Sequence, residues 1–189
     1  YYATDKKHTV FFDEDLKTIY KELKVEFPGS DIYFNSYADN EKNLIVRTFN
    51  DRTPGDFYLY NAELKSITHL AEINPNIDKD QTCDMQSVAF TSRDSLNING
   101  YLTLPRVENK KYLPTVILVH GGPMARDYWG YRADVQLLAS RGYAVFQINF
   151  RGSWGYGKEF AIKGFKEWGK DMQNDITDGV QWLISEGIA

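Results

Sequence analysis

The chain has 189 residues, one cysteine, three histidines and a formal charge of -4 from 22 basic and 26 acidic side chains. The charges are interspersed, with no basic stripe to point to nucleic acid and no Cys/His cluster at metal-ligand spacing, so no nucleic-acid partner and no metal are expected. A lone Cys83 forms no internal disulfide, which suits the cytoplasm without excluding the periplasm, and no apolar run approaches the ~20 residues of a membrane helix.

In chain order, "YYATDKKHTVFFDED" has no Met start, no charged leader and no signal-like apolar core. The chain is therefore expected to begin partway through a longer protein. Residues 13 to 25 place Leu16, Ile19, Tyr20 and Leu23 at helical spacing behind acidic residues, and Pro28-Gly29 closes that helix. Short runs rich in aromatic and β-branched residues follow at 31 to 37, 43 to 49, 56 to 61 and 65 to 71, separated by the turn-sized breaks "ADNEK", "NDRTPG" and "AEL". Four such strands make an antiparallel meander, the size of one propeller blade or of any small antiparallel sheet. The polar stretch 72 to 84 reads as a boundary between a region 1–80 and a region 81–189.

Beyond it, 86 to 105 reads as two strands around Arg93-Asp94-Ser95. Elements then alternate: a strand at 115 to 119, buried on both faces; a helix near 131 to 141; a strand at 144 to 149; and a long helical stretch to about Glu186. Within the last, Met172, Ile176, Val180 and Leu183 form an apolar stripe. This alternation predicts an α/β fold with a mainly parallel sheet covered by helices.

In an open α/β sheet the functional crevice lies beyond the carboxyl ends of the strands. Two glycine-bearing loops leave from there, His120-Gly121-Gly122-Pro123 and "NFRGSWGYG" at 149 to 157. They read either as tight turns or as an oxyanion hole, in which preorganised N–H groups stabilise charge developing on a carbonyl oxygen. Neither loop holds a nucleophile elbow: Ser153 has Arg151 two residues before it, Ser140 has Leu138, and no Gly-x-Ser-x-Gly occurs. His8, His69 and His120 have no nucleophile in reach, so none is expected to act as a general base. The Gly155-Tyr156-Gly157 segment matches neither a phosphate loop nor a dinucleotide fingerprint, and no cofactor is expected.

"SVAFTSRDSLNINGYLTLP", "LPTVILVHGGPMARDYWG", "LASRGYAVFQINFRGSWGYGKEF" and "GFKEWGKDMQNDITDGVQWLISEGI" together resemble the first half of the catalytic domain of the prolyl oligopeptidase family of serine peptidases. The dipeptidyl aminopeptidase and acylaminoacyl-peptidase branch is the most similar. Residues 1 to about 80 are similar to the last part of the propeller that precedes that domain. The resemblance implies a partial α/β-hydrolase fold preceded by a β-propeller blade, with short peptides as substrates and a Ser-Asp-His triad without a metal. It implies an oxyanion donor at the Gly122 N–H, with His120 and Gly121 shaping the turn. Arg151, Gly152, Ser153 and Tyr156 become supports of the active-site loop. Ser95 stands where the family's hairpin usually has glycine, and Trp154 where a smaller residue is common.

In that family the nucleophile follows the helix that ends near Ala189, and Asp and His come later still. The chain is thus expected to be a fragment without a triad, inactive alone, whose sheet keeps an unpaired edge. Such a chain is expected to need the remainder of the catalytic domain or to self-associate. The alternatives are a carboxylesterase fragment or a noncatalytic binding module built on the same fold.

Overall fold

The computed structural model describes residues 5–37, 42–122 and 124–189. The break expected at "ADNEK" falls mostly outside them, as does Pro123 of the glycine turn. The chain divides into two compact units, one of Val10–Thr82 with Gly130–Arg132, the other of Cys83–Trp129 and Ala133–Ala189 with the residues up to Thr9.

The first unit opens with helix α1, Glu14–Glu26. Asp13 caps it, its Oδ1 accepting from the Leu16 N–H at 2.8 Å, and Glu14 and Asp15 favour the positive end of the helix dipole. Four strands follow, β1 (Asp31–Tyr37), β2 (Asn43–Phe49), β3 (Asp56–Asn61) and β4 (Ser66–Glu72), all antiparallel in the order β1-β2-β3-β4. Alternation along β2 buries Leu44, Val46 and Thr48. Leu44 and Val46 meet Leu23, Ile32 and Tyr60 in a core against which Leu16, Ile19 and Tyr20 pack, so the apolar face read from the helix does close the sheet. The register of β3 on β4 shifts between Phe57 and Tyr58, where β4 carries one extra residue.

The second unit has strands β5 (Met85–Thr91), β6 (Asn97–Thr103), β7 (Thr115–Val119) and β8 (Ala144–Asn149), and helices α2 (Ala133–Ala139), α3 (Lys158–Ile162) and α4 (Asp171–Ser185). The sheet order is β5-β6-β8-β7. Only the β7–β8 pair is parallel; β5–β6 and β6–β8 are antiparallel. The expected mainly parallel sheet is therefore a mixed one, because the β5–β6 hairpin joins it and only one βαβ crossover, β7–α2–β8, lies in these residues. Strand β8 is buried along its whole length, whereas β7, at the end of the strand order, is half-exposed along 115–118 and exposed at Val119. Within these 189 residues β7 is thus less buried than a strand covered on both faces.

The long helical stretch is also broken. Between α3 and α4 the chain turns through Gly164, Lys166 and Gly169, the last two at positive φ. On α4 the buried positions are Met172, Asp175, Gly179 and Leu183, with Ile176 and Val180 only half-buried. The inward face is rotated from the expected stripe because Gly179 lets the helix approach the sheet. A Cβ there would stand 3.0 Å from Phe146 Cε1 and 3.1 Å from Ile148 Cδ1. Phe146 and Ile148 form the centre of the core with Phe90, Ile98, Leu102, Met172 and Leu183. On the opposite face of β8, Val145 packs with Val135, Ala139 and Cys83. The Cys83 backbone is held there by the Gln136 amide, which donates to its carbonyl and accepts from its N–H, both at 2.8 Å.

Gly179→Leu should overpack this contact and lower the stability of the second unit by about 1–3 kcal/mol. Urea unfolding followed by tryptophan fluorescence measures the shift.

Candidate functional site

Because β7 and β8 are parallel neighbours, the loops that follow them leave the same edge of the sheet. The β7 loop carries His120, Gly121 and Gly122; the β8 loop carries Phe150 to Gly157. His120 lies flat on Phe150, with ring centroids 4.5 Å apart and planes 13° from parallel, and its Nε2 is 2.9 Å from Ser153 Oγ. Nearby, the Trp154 N–H donates to the Ala125 carbonyl at 3.0 Å. The two loops are thus stitched together by side chain and backbone alike.

A histidine nitrogen 2.9 Å from a serine hydroxyl has the outward look of a base and its nucleophile. Two facts decide otherwise. Ser153 has no exposed surface, and its single hydroxyl proton goes to the Phe150 carbonyl at 2.6 Å. The hydroxyl proton is thus already engaged by a backbone carbonyl, while His120 Nδ1 lies 3.0 Å from the Gly121 carbonyl. The pair is a strut between the two loops.

Gly121 and Gly122 face solvent. Gly122 has φ +130°, and a Cβ would lie 2.9 Å from the Met124 nitrogen and 3.0 Å from the Ala125 nitrogen. Only glycine takes that backbone without strain, and only glycine leaves room for the amides that follow. The second glycine after the β-branched strand is thus required by the close approach of the backbone at Met124 and Ala125. Beside Gly122, Met124 joins Gly152, Ala161, Gly164, Phe165, Lys166 and Trp168 in lining an apolar cleft of about 480 Å³.

Arg151 is buried, and its guanidinium forms a double bridge to two carboxylates. It donates to Asp175 through Nε at 2.8 Å and NH2 at 2.7 Å, and to Asp94 through NH1 and NH2, both at 2.8 Å. Asp171 lies 3.4 Å from NH1, and the Arg151 N–H donates to Asp175 at 2.9 Å. The guanidinium hydrogen bonds, helped by Ser92, hold Asp94 well below the usual carboxylate range. Burial pushes the fully enclosed Asp175 carboxyl up, against the pull of its Arg151 hydrogen bonds. Next to Arg151, Gly152 has φ +94° and passes so close to Gly164 that a Cβ on the latter would lie 2.6 Å from the Gly152 Cα.

Tyr156 belongs to a second network. Its hydroxyl accepts from Arg126 at 2.8 Å and from Asn149 Nδ2 at 2.8 Å, while the Arg126 guanidinium lies 4.3 Å over its ring. Arg126 also donates to the Tyr101 hydroxyl at 2.9 Å, and Asn149 Oδ1 accepts from the Asp127 N–H at 2.8 Å. Burial pushes the Tyr101 and Tyr156 phenols up, so both keep their protons and stay neutral beside the cation. The sequence reading named Arg151, Gly152, Ser153 and Tyr156 in the loop but missed Arg126, Asn149, Asp94 and Asp175. The legible signal for Asp175 was a carboxylate one helical turn from Met172 on the apolar side of α4.

These contacts tie the loops after β7 and β8 to each other and to α4. Against known proteins, the sequence profile described as the prolyl oligopeptidase family matches residues 129–189. The chain is 36% identical over 183 residues to dipeptidyl aminopeptidase BIII of Pseudoxanthomonas mexicana, covering 93% of this chain and 26% of that protein. It is 36% identical over 199 residues to dipeptidyl peptidase family member 6 of Caenorhabditis elegans, covering 94% and 26% respectively. The solved acylaminoacyl peptidase of Pyrococcus horikoshii superposes with a TM-score of 0.64 at 28% identity, over 84% of this chain and 25% of that one. The chain spans about a quarter of the length of these relatives.

Asp94 titrates near ~3.9 in an unfolded chain and lower in the folded one. Its contribution is thus fully present above that unfolded value and is lost as pH falls toward the folded one. Asp94→Asn is expected to lower the urea midpoint at pH 7, with the gap to the parent chain narrowing below about pH 4; paired denaturation curves across that range check it.

Proposed function

The chain belongs to the prolyl oligopeptidase family, and from that premise we propose that it is the section of a serine peptidase that builds the oxyanion side of the active site. On this reading the second unit is part of an α/β-hydrolase domain and the first unit is a propeller blade. The observation that carries the proposal is the glycine turn at the carboxyl end of β7, held open at φ +130° and tied to the β8 loop through His120–Ser153 and Trp154–Ala125.

Hydrolysis of a peptide bond through an acyl-enzyme places negative charge on the carbonyl oxygen of each tetrahedral intermediate. The Gly122 N–H is the donor aimed at that oxygen. Gly121 gives the turn its freedom, and His120, locked on Phe150, sets where the turn begins. Donors fixed before the reaction begins need no reorganisation as charge develops, which makes such a device effective. Short peptides are the proposed substrates, a reading supported by relatives named dipeptidyl aminopeptidase and dipeptidyl peptidase. The Ser-Asp-His triad comes from polypeptide outside these 189 residues, since no Gly-x-Ser-x-Gly occurs here and Ser153 is a buried strut. That polypeptide, or failing it a second copy of this chain, is the proposed cover for the β7 edge.

Two measurements test this. The 189-residue chain should show no covalent labelling by a fluorophosphonate probe, and an adduct on Ser153 would refute the assignment. In the longer polypeptide that carries the triad, Gly122→Ala should reduce kcat on a peptide anilide by roughly 10²–10³ with little change in KM; an unaltered kcat would remove Gly122 from the role.

A further inference from the structure

We propose that the β3–β4 hairpin of the first unit carries a binding site for a borderline divalent cation of the Zn2+ type, with Asp56, His69 and Glu72 as its ligands. Donor atoms of these three side chains all lie within 4.8 Å of one another, and His69 Nε2 is 4.0 Å from Asp56 Oδ2. The inference is independent of the peptidase assignment.

The strand register explains how the three come together. Asp56 pairs with Glu72, so their side chains share a face. Two residues on, Tyr58 shares that face as well. In an unbroken ladder Tyr58 would oppose Leu70, and His69 would point to the other side. The bulge removes Leu70 from the pairing, and Tyr58 opposes His69 instead. One extra residue in β4 thus turns an imidazole onto the face that already holds two carboxylates. Re-aiming a side chain in this way is a recurrent use of β-bulges.

Charge gives a second, separate argument. Carboxylates directly opposite each other on neighbouring strands repel, yet Asp56 and Glu72 are such a pair. The Lys79 ammonium stands 3.8 Å from Asp56 Oδ2, a half-exposed contact. A dication between the two strands would relieve the repulsion more fully than that ammonium.

Two contacts prepare the ligands. The Tyr58 hydroxyl donates to Asp56 Oδ2 at 3.2 Å, restraining the carboxylate, and the His69 ring stands edge-on to the Tyr58 ring at 5.2 Å between centroids. Outer contacts of this kind orient metal ligands. Asp56 is mostly buried, whereas His69 and Glu72 are exposed and free to close the last ångström onto an ion. One nitrogen and two carboxylate oxygens, with solvent completing the shell, suit Zn2+ and its neighbours; Mg2+ prefers an all-oxygen octahedron. A bound ion would clamp β4 to β3 across the irregular step in their ladder.

The test is isothermal titration of the chain with Zn2+ and, separately, Mg2+. The expected result is saturable 1:1 Zn2+ binding that His69→Ala weakens by more than about tenfold, since even outer-shell losses cost 10–100-fold. Glu72→Gln should weaken it as well, while Lys79→Ala should tighten it by removing the competing ammonium. No saturable Zn2+ binding, an undiminished affinity in His69→Ala, a weaker one in Lys79→Ala, or an equal response to Mg2+ would each overturn the proposal. Circular dichroism of each variant confirms that losses are not losses of fold.

Discussion

One guanidinium holds the second unit together. Arg151 stands at the end of the central strand β8 and is reached by Asp175 from α4 and by Asp94 from the β5–β6 turn, two carboxylates 81 positions apart in the chain. A planar fork is needed, because an ammonium could not meet both carboxylates with parallel bonds. The pair with Asp175 is closed to solvent, so removing either partner would strand a buried charge, a loss of about 3–5 kcal/mol in comparable pairs. Its value is therefore chiefly positional: it fixes the angle at which the β8 loop leaves the sheet, and Gly152 and Ser153 inherit that angle.

From this anchor the crevice is assembled by a sequence of short contacts. Gly152 can sit against Gly164 only because neither has a side chain, which draws the turn between α3 and α4 under the loop. Ser153 then props His120, and His120 lies on Phe150, so the glycine turn after β7 is set by residues of the loop after β8 rather than by its own strand. Arg126 completes the enclosure from the other side, joining the β7 loop to Tyr101 of β6 and to Tyr156. Two cationic side chains, each surrounded by groups that neutralise or shield it, frame one short backbone turn.

Much of this was visible in the sequence, and the reasons for the gaps are physical. Local signals worked where the cause is local: the acidic residues ahead of Leu16 announce α1, and the β-branched and aromatic run at 43 to 49 announces β2. The glycines of the β7 turn were legible because a β-branched strand ended on them. Pairing direction was not, since a hairpin and a crossover leave similar apolar runs, and the mixed sheet read as mainly parallel. Likewise α4 was placed but turned slightly wrong: periodicity favours Ile176 and Val180 as core, whereas Gly179 and Asp175 face inward because of partners on β8. Arg126 and Asp94 gave no local sign, as each depends on residues distant in sequence.

Cys83 offers a different kind of handle. It is the single thiol of the chain, 1% exposed, and the segment that carries it is held by a side-chain amide of Gln136 in place of a neighbouring strand. Such a thiol is inert to an alkylating reagent until its surroundings open. Where the reagent outpaces reclosing, its modification rate is the rate at which the α2 side of the sheet opens. The molecule carries, without any engineering, an internal clock for the breathing of the face on which the β7–α2–β8 crossover rests.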